Sequence, residues 1–166
     1  IIIFLSDNGA SQKGNNGILR GHKSSPFEGG SRVPAIISFP DRIPKGIVNN
    51  QTAMTIDLLP TLLDFINKKP TNKMDGISLK NVLLNQEKLI ERDAFYAFKN
   101  FSFIRSGKWK LIKNSKNNKL SLFDLSADIK ESNNLSKAKP KLTENLLKKL
   151  SVWEAEVSKN VKTISN

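Results

Sequence analysis

Ile1-Ile2-Ile3-Phe4-Leu5-Ser6-Asp7-Asn8-Gly9 opens the chain. After a short loop comes Leu19-Arg20-Gly21-His22-Lys23-Ser24-Ser25-Pro26-Phe27-Glu28-Gly29-Gly30-Ser31-Arg32-Val33-Pro34. These two stretches decide the fold. Ile1 to Leu5 is continuously apolar and β-branched, the pattern of a strand buried on both faces in a parallel sheet. Ser6-Asp7-Asn8-Gly9 ends it with a turn signal. A polar, glycine-containing loop runs to about Gly30, and Val33 to Phe39 reads as a second buried strand, interrupted early by Pro34. In open α/β sheets, ligands sit beyond the carboxyl ends of strands. Asp7 and Asn8 stand at such an end. Their adjacent carboxylate and carboxamide oxygens suit a hard cation such as calcium or magnesium, although two oxygens are too few to hold one. Taken alone, Asp-Asn-Gly is also a common turn.

Working outward, Asp57-Leu-Leu-Pro60-Thr-Leu-Leu-Asp-Phe-Ile66 reads as a helix. Asp57 is placed to accept the first-turn amides, and Pro60 is tolerated in that turn. Ser78 to Leu84 reads as a second, short helix. From Asp93 the period changes. Ala94 to Lys99, Phe101 to Arg105, Trp109 to Lys113 and Leu120 to Leu125 read as strands of an antiparallel meander, with Ser106-Gly107 as one tight turn. Pro140 to Val157 reads as a helix with Leu142, Leu146, Leu147, Leu150, Trp153 and Val157 on one face. Residues 1–90 therefore read as the closing portion of a larger α/β domain. Residues 91–166 read as a small antiparallel sheet covered by one helix. The chain opens on Ile inside an apolar run, which leads to the expectation that an upstream half precedes it.

The 166 residues, 38% hydrophobic and 25% charged, suit a globular protein with a real core. No apolar run approaches the roughly 20 residues that span a bilayer. The absence of Cys excludes disulfides and thiolate metal sites in this sequence. The net charge of +12 admits a polyanion partner. The basic residues are scattered rather than clustered, which favours a solvated surface over nucleic-acid binding.

In order and spacing, these motifs resemble the sulfatase family of the alkaline-phosphatase-like superfamily. Its members have a strand ending in Asp-Asn-Gly, then Arg-x-x-Lys, an aromatic-Glu-Gly-Gly segment and an Arg-Val-Pro strand entry. Here these are Asp7-Asn8-Gly9, Arg20 to Lys23, Phe27 to Gly30 and Arg32 to Pro34. Later echoes are Asp57-Leu-Leu-Pro-Thr-Leu-Leu, Asp75-Gly76, Arg105-Ser-Gly-Lys-Trp-Lys-Leu111 and Leu122-Phe-Asp-Leu125. Gly14-Asn15-Asn16 before Leu19-Arg20-Gly21-His22-Lys23 is most similar to the arylsulfatase B group, which acts on N-acetylgalactosamine sulfates.

The resemblance implies the C-terminal part of a sulfatase fold, ending in a small antiparallel sheet packed by a helix. It implies that Asp7 and Asn8 are ligands of a calcium ion, with magnesium as the alternative. Lys23 would contact the sulfate as a catalytic and substrate-binding residue, and His22 would lie at the substrate rim. Glu28, Arg32 and Arg20 read as braces of the loop. The family nucleophile is a formylglycine made within a Cys/Ser-x-Pro-x-Arg motif. No such motif occurs here, so it is expected upstream, and this chain alone is expected to be inactive. The implied partner is a sulfated small molecule or glycan, without nucleic acid or membrane insertion. The implied compartment is periplasmic, secreted or lysosomal. Two rivals stand beside this reading. One is a phosphatase, phosphodiesterase or phosphonate hydrolase of the same superfamily. The other is a non-catalytic, basic polyanion-binding module.

Overall fold

The structure is a computed structural model and describes residues 1–159. The chain forms two compact units, one of Ile1–Leu5 with Ala35–Glu91, the other of Ser6–Pro34 with the residues from Arg92 onward.

In the first unit, β1 (Ile2–Leu5) and β2 (Ala35–Ser38) pair antiparallel, from Ile2 opposite Ser38 to Leu5 opposite Ala35. The parallel, doubly buried reading of Ile1 to Leu5 is thereby corrected. Ile2, Phe4 and Ile36 lie on one face of this pair and are 70%, 64% and 63% exposed, while Ile3 and Ile37 on the other face are half-buried. An unbroken apolar run carries no alternation to say which face is covered. A 3₁₀ turn (Thr55–Asp57) leads into α2 (Leu58–Phe65), and α3 spans Lys80–Asn85.

Asp57 is fully buried but does not cap α2. Its carboxylate accepts the Met54 N–H at 2.7 Å and the Ile77 N–H at 3.0 Å. Because the 3₁₀ turn already places Asp57 in helical conformation, its side chain points back to that turn and to the loop before α3. Thr61, buried beside it, donates to Asp57 O at 2.6 Å and accepts the Leu79 N–H at 2.8 Å.

In the second unit, β3 (Asp93–Phe98), β4 (Phe101–Ser106), β5 (Trp109–Asn114) and β6 (Lys119–Asp124) form an antiparallel meander in chain order. Phe95, Ile104, Leu111 and Leu122 stand opposite one another across the four strands. They pack against Leu146 and Leu150 of α4 (Pro140–Ser158), with Trp109, Leu142, Leu147 and Trp153 around them. Trp153 stacks on Phe95 with ring centroids 5.2 Å apart. Val157 falls outside this contact and is exposed. The sheet's other face is covered as well. Phe103, Ile112, Phe123 and Leu125 form a second core with Phe27 and Ile129. The strands are thus apolar on both sides because each side has its own cover. The expectation of one covering helix described half of this arrangement.

Candidate functional site

Asp7 and Asn8 follow β1 in the chain, and backbone hydrogen bonds fix the loop that carries them. The Ser6 hydroxyl donates to Asn8 O at 2.7 Å. The Gly9 N–H donates to Gly30 O at 3.1 Å, and the Gly29 N–H to Arg20 O at 2.7 Å. Gly29 and Gly30 lie in α1, a single helical turn over Glu28–Ser31. Glycine is required here by crowding. A Cβ on Gly9 would lie 1.7 Å from Gly29 O, and one on Gly29 would lie 2.5 Å from Gly21 O. A Cβ on Gly30 would lie 2.2 Å from Ser25 O. Three backbones therefore meet where side chains would hold them apart.

The same interlock brings Lys23 to the Asp7–Asn8 segment. The Lys23 N–H donates to Ala10 O at 2.8 Å. Asn16 ties the intervening chain, accepting the Ala10 N–H at 2.8 Å and donating to Gly21 O at 3.0 Å. The next turn is closed by Ser25, whose hydroxyl accepts the His22 N–H at 3.1 Å. His22 Nδ1 lies 2.8 Å from Lys23 O, which fixes the proton on Nδ1 when the ring is neutral. His22 and Asn8 are half-buried, and Asp7 and Lys23 are exposed. The side chains of Asp7, Asn8 and Lys23 are engaged by no other described residue. Two oxygens and an ammonium are thus presented from a rigid backbone. The oxygens fit a hard cation in kind and fall short in number. Among the described residues, no three His, Cys, Asp or Glu side chains gather to hold a metal ion.

Beneath this loop lies a buried ionic cluster. Lys110 and Glu131 are fully buried and Glu28 nearly so. Lys110 Nζ lies 2.8 Å from Glu28 Oε1 and 3.2 Å from Glu131 Oε1. Glu131 Oε2 accepts the Glu28 N–H at 2.6 Å. Arg32 and Arg105 approach Glu28 Oε2 at 3.6 and 3.7 Å, so that oxygen is charge-paired without a hydrogen bond of its own. Burial pushes the Glu131 carboxyl above its ordinary range, with Lys110 opposing. Arg20 lies over the Phe27 ring at 3.9 Å and donates from Nη1 to Glu131 O at 2.6 Å.

Glu28, Arg32 and Arg20 are braces, as the sequence suggests. Lys110 and Glu131 are the partners that sequence reasoning missed. One signal was present for Lys110, since period-2 alternation puts it on the face opposite Leu111. Only the second cover of the sheet makes that face an interior.

The chain matches the family described as N-sulphoglucosamine sulphohydrolase, C-terminal, over residues 22–156. It is 39% identical over 103 residues to the N-acetylgalactosamine-6-sulfatase of Sus scrofa, covering 57% of this chain and 20% of that protein. A sulfatase of Formosa agariphila is 31% identical over 161 residues, covering 84% of this chain and 29% of that protein. Among solved structures, Ps i-CgsB in complex with k-i-k-neocarrahexaose is similar at a TM-score of 0.79 and 27% identity, over 91% of this chain and 35% of that one. BT4656 in complex with its substrate D-glucosamine-2-N,6-O-disulfate is similar at a TM-score of 0.69 and 26% identity, over 84% and 31%. The chain spans 20% and 21% of the length of the first two curated relatives it matches. Among the described residues no helix is long and apolar enough to cross a membrane.

Proposed function

We propose, for a chain that belongs to the sulfatase family, that its protein hydrolyses sulfate esters carried on carbohydrate. The observation that carries this reading is the placement of Lys23 and the Asp7–Asn8 pair on one pinned loop, with their side chains uncommitted. In this reading Lys23 is the catalytic and substrate-binding cation. An ammonium is a compact charge that neutralises a sulfuryl oxygen and the charge developing on the leaving oxygen. Asp7 and Asn8 supply two oxygen ligands to a calcium or magnesium ion whose other ligands lie outside this sequence. Such an ion, when bound, supplies Lewis-acid polarisation of the sulfate. His22 lies beside Lys23 and contacts the rim of the substrate. The nucleophile is a formylglycine outside this sequence, which contains no Cys/Ser-x-Pro-x-Arg motif. The carbohydrate assignment is supported by the sulfated sugar bound in BT4656.

The test is turnover of an aryl sulfate and a sulfated amino sugar by the whole enzyme and its Lys23→Ala variant. Removing one charge-stabilising donor lowers kcat/KM by about 10²–10³-fold, and an exposed lysine is expected to leave the melting temperature unchanged. An unaltered rate would refute the role of Lys23. Faster turnover of the matching aryl phosphate would refute the sulfate assignment. This chain alone is expected to turn over neither ester, and to bind calcium weakly with two ligands.

A further inference from the structure

We propose that Glu131 is a positioning residue, a clamp that grips both ends of the loop bearing His22 and Lys23. The inference rests on the reading of Lys23 above, and it concerns residues that touch no substrate. The carbonyl of Glu131 receives Arg20, and its carboxylate receives the backbone N–H of Glu28. Residues 20 and 28 are the two feet of the segment between them. From Glu28 the hold continues through the helical turn to Gly30, whose carbonyl receives the Gly9 N–H beside Asn8. One residue therefore anchors both the Lys23 segment and the Asp7–Asn8 segment to the sheet, with Lys110 of β5 as the buried counter-charge.

Stability alone does not account for this cluster. Buried ion clusters are weak evidence for stability, because desolvation offsets the attraction, and well-packed apolar replacements are often neutral or stabilising. Here Glu28 Oε2 and Glu131 Oε1 are held by charge pairing with Arg32, Arg105 and Lys110 and not by well-aligned hydrogen bonds. Glu131 also sits at φ 53°, the left-handed region where Gly or Asn is easier to accommodate. Strained residues persist where their surroundings over-determine them, and they gather at functional sites. A residue kept in such a conformation, with its carbonyl on Arg20 and one carboxylate oxygen on the Glu28 N–H, is accounted for by the geometry it imposes.

The experiment is amide hydrogen exchange on the full chain, which requires no turnover. The reporters are the Gly9, Lys23 and Gly29 amides, whose acceptors are Gly30, Ala10 and Arg20. Glu131→Gly removes the carboxylate grip on Glu28, keeps the carbonyl that receives Arg20, and relaxes the backbone. Leu122→Ala weakens the sheet without touching the clamp. Matched for global stability, Glu131→Gly is expected to speed exchange at the three reporters by about tenfold or more over Leu122→Ala. Glu131→Gln keeps an acceptor for the Glu28 N–H and is expected to restore most of the protection. Equal exchange in Glu131→Gly and Leu122→Ala, or no rescue by Gln, would overturn the proposal. In the whole enzyme, Glu131→Gly should lower kcat/KM for a sulfate ester, with Glu131→Gln recovering most of it, only if Lys23→Ala also lowers it. Loosened reporters with a silent Lys23→Ala would keep the clamp and remove the sulfate role.

Discussion

Ile104, Leu111, Leu122 and Leu150 in the second unit have no exposed surface, whereas Ile2, Phe4 and Ile36 in the first are more than half exposed. The residue types are alike, so the difference lies in cover. The four-stranded sheet has a helix of 19 residues on one face and the Phe27 segment on the other. In the first unit, among the described residues, Leu79 is the one buried hydrophobic residue. Its fixed points are polar instead, centred on Asp57 and the backbone N–H groups it receives. The second unit is held by area and charge, the first by hydrogen bonds around one carboxylate.

The largest effects should come from the buried charges, and they should differ between units. Lys110→Ala leaves the buried Glu131 without its counter-ion and takes the nearest one from Glu28. It is expected to destabilise by about 3–5 kcal/mol. Asp57→Ala frees two amides that can turn to water once the loop relaxes, and is expected to cost about 1–3 kcal/mol. Urea unfolding of both variants measures the gap. An equal loss would mean that the ionic cluster is no more constrained than the surroundings of Asp57.

Apolar truncation should separate the units next. Leu111→Ala removes a fully buried side chain between β4 and β6 and is expected to cost about 2–5 kcal/mol. Phe4→Ala, on the exposed face of β1, is expected to change stability by no more than about 0.5 kcal/mol. A large loss at Phe4 in the same unfolding measurement would show that the outer face of β1–β2 is covered in solution.

Changing pH should move the contributions of Glu131 in the second unit and Asp64 in the first in opposite directions. Burial raises the Glu131 carboxyl, so the folded state binds more protons than the unfolded chain. Its contribution is full below the ordinary glutamate range and is lost as pH rises through the raised value. Asp64 in the first unit is lowered, first by the Ser78 hydroxyl and then by Lys80. Its contribution is present above the ordinary aspartate range and is lost as pH falls through the lowered value. Asp124, held at about 2 chiefly by Lys108, acts in the same direction as Asp64. Melting temperatures across pH should therefore change in opposite senses for Glu131→Gln and Asp64→Asn, relative to the parent. Slopes of the same sign would overturn the assignment of burial as the dominant cause at Glu131.

What the sequence made legible follows the same division. The meander and α4 could be read because period-2 and period-3.6 patterns are local. The order of Asp7-Asn8-Gly9, Lys23 and Glu28-Gly29-Gly30 suggested segments that belong together, and backbone hydrogen bonds join them. The antiparallel pairing of β1 with β2 was hidden, because an apolar run without alternation names neither partner nor direction. Glu131 was hidden for another reason. It lies in an unpatterned loop, more than 100 residues from the Glu28 amide it receives, and no local rule marks a charged residue that long-range packing will bury.

The smallest effects should be surface ion pairs, and here the two units should agree. Lys149 reaches Asp93 at 2.8 Å in the second unit, and Lys80 reaches Asp64 at 3.2 Å in the first. In each pair one partner is substantially exposed, so water screens the attraction and ordering two side chains offsets part of it. Lys149→Met and Lys80→Met are each expected to cost about 0.2–1 kcal/mol, and less at 1 M salt, where the screening length is about 3 Å. Lys80 should fall at the upper end, because it also donates to Asp64 O at 2.9 Å. That backbone bond resists screening, so the Lys80→Met loss should persist in high salt while the Lys149→Met loss fades. If both vanish together, the backbone bond contributes nothing. The contrast between the units would then rest on their interiors alone.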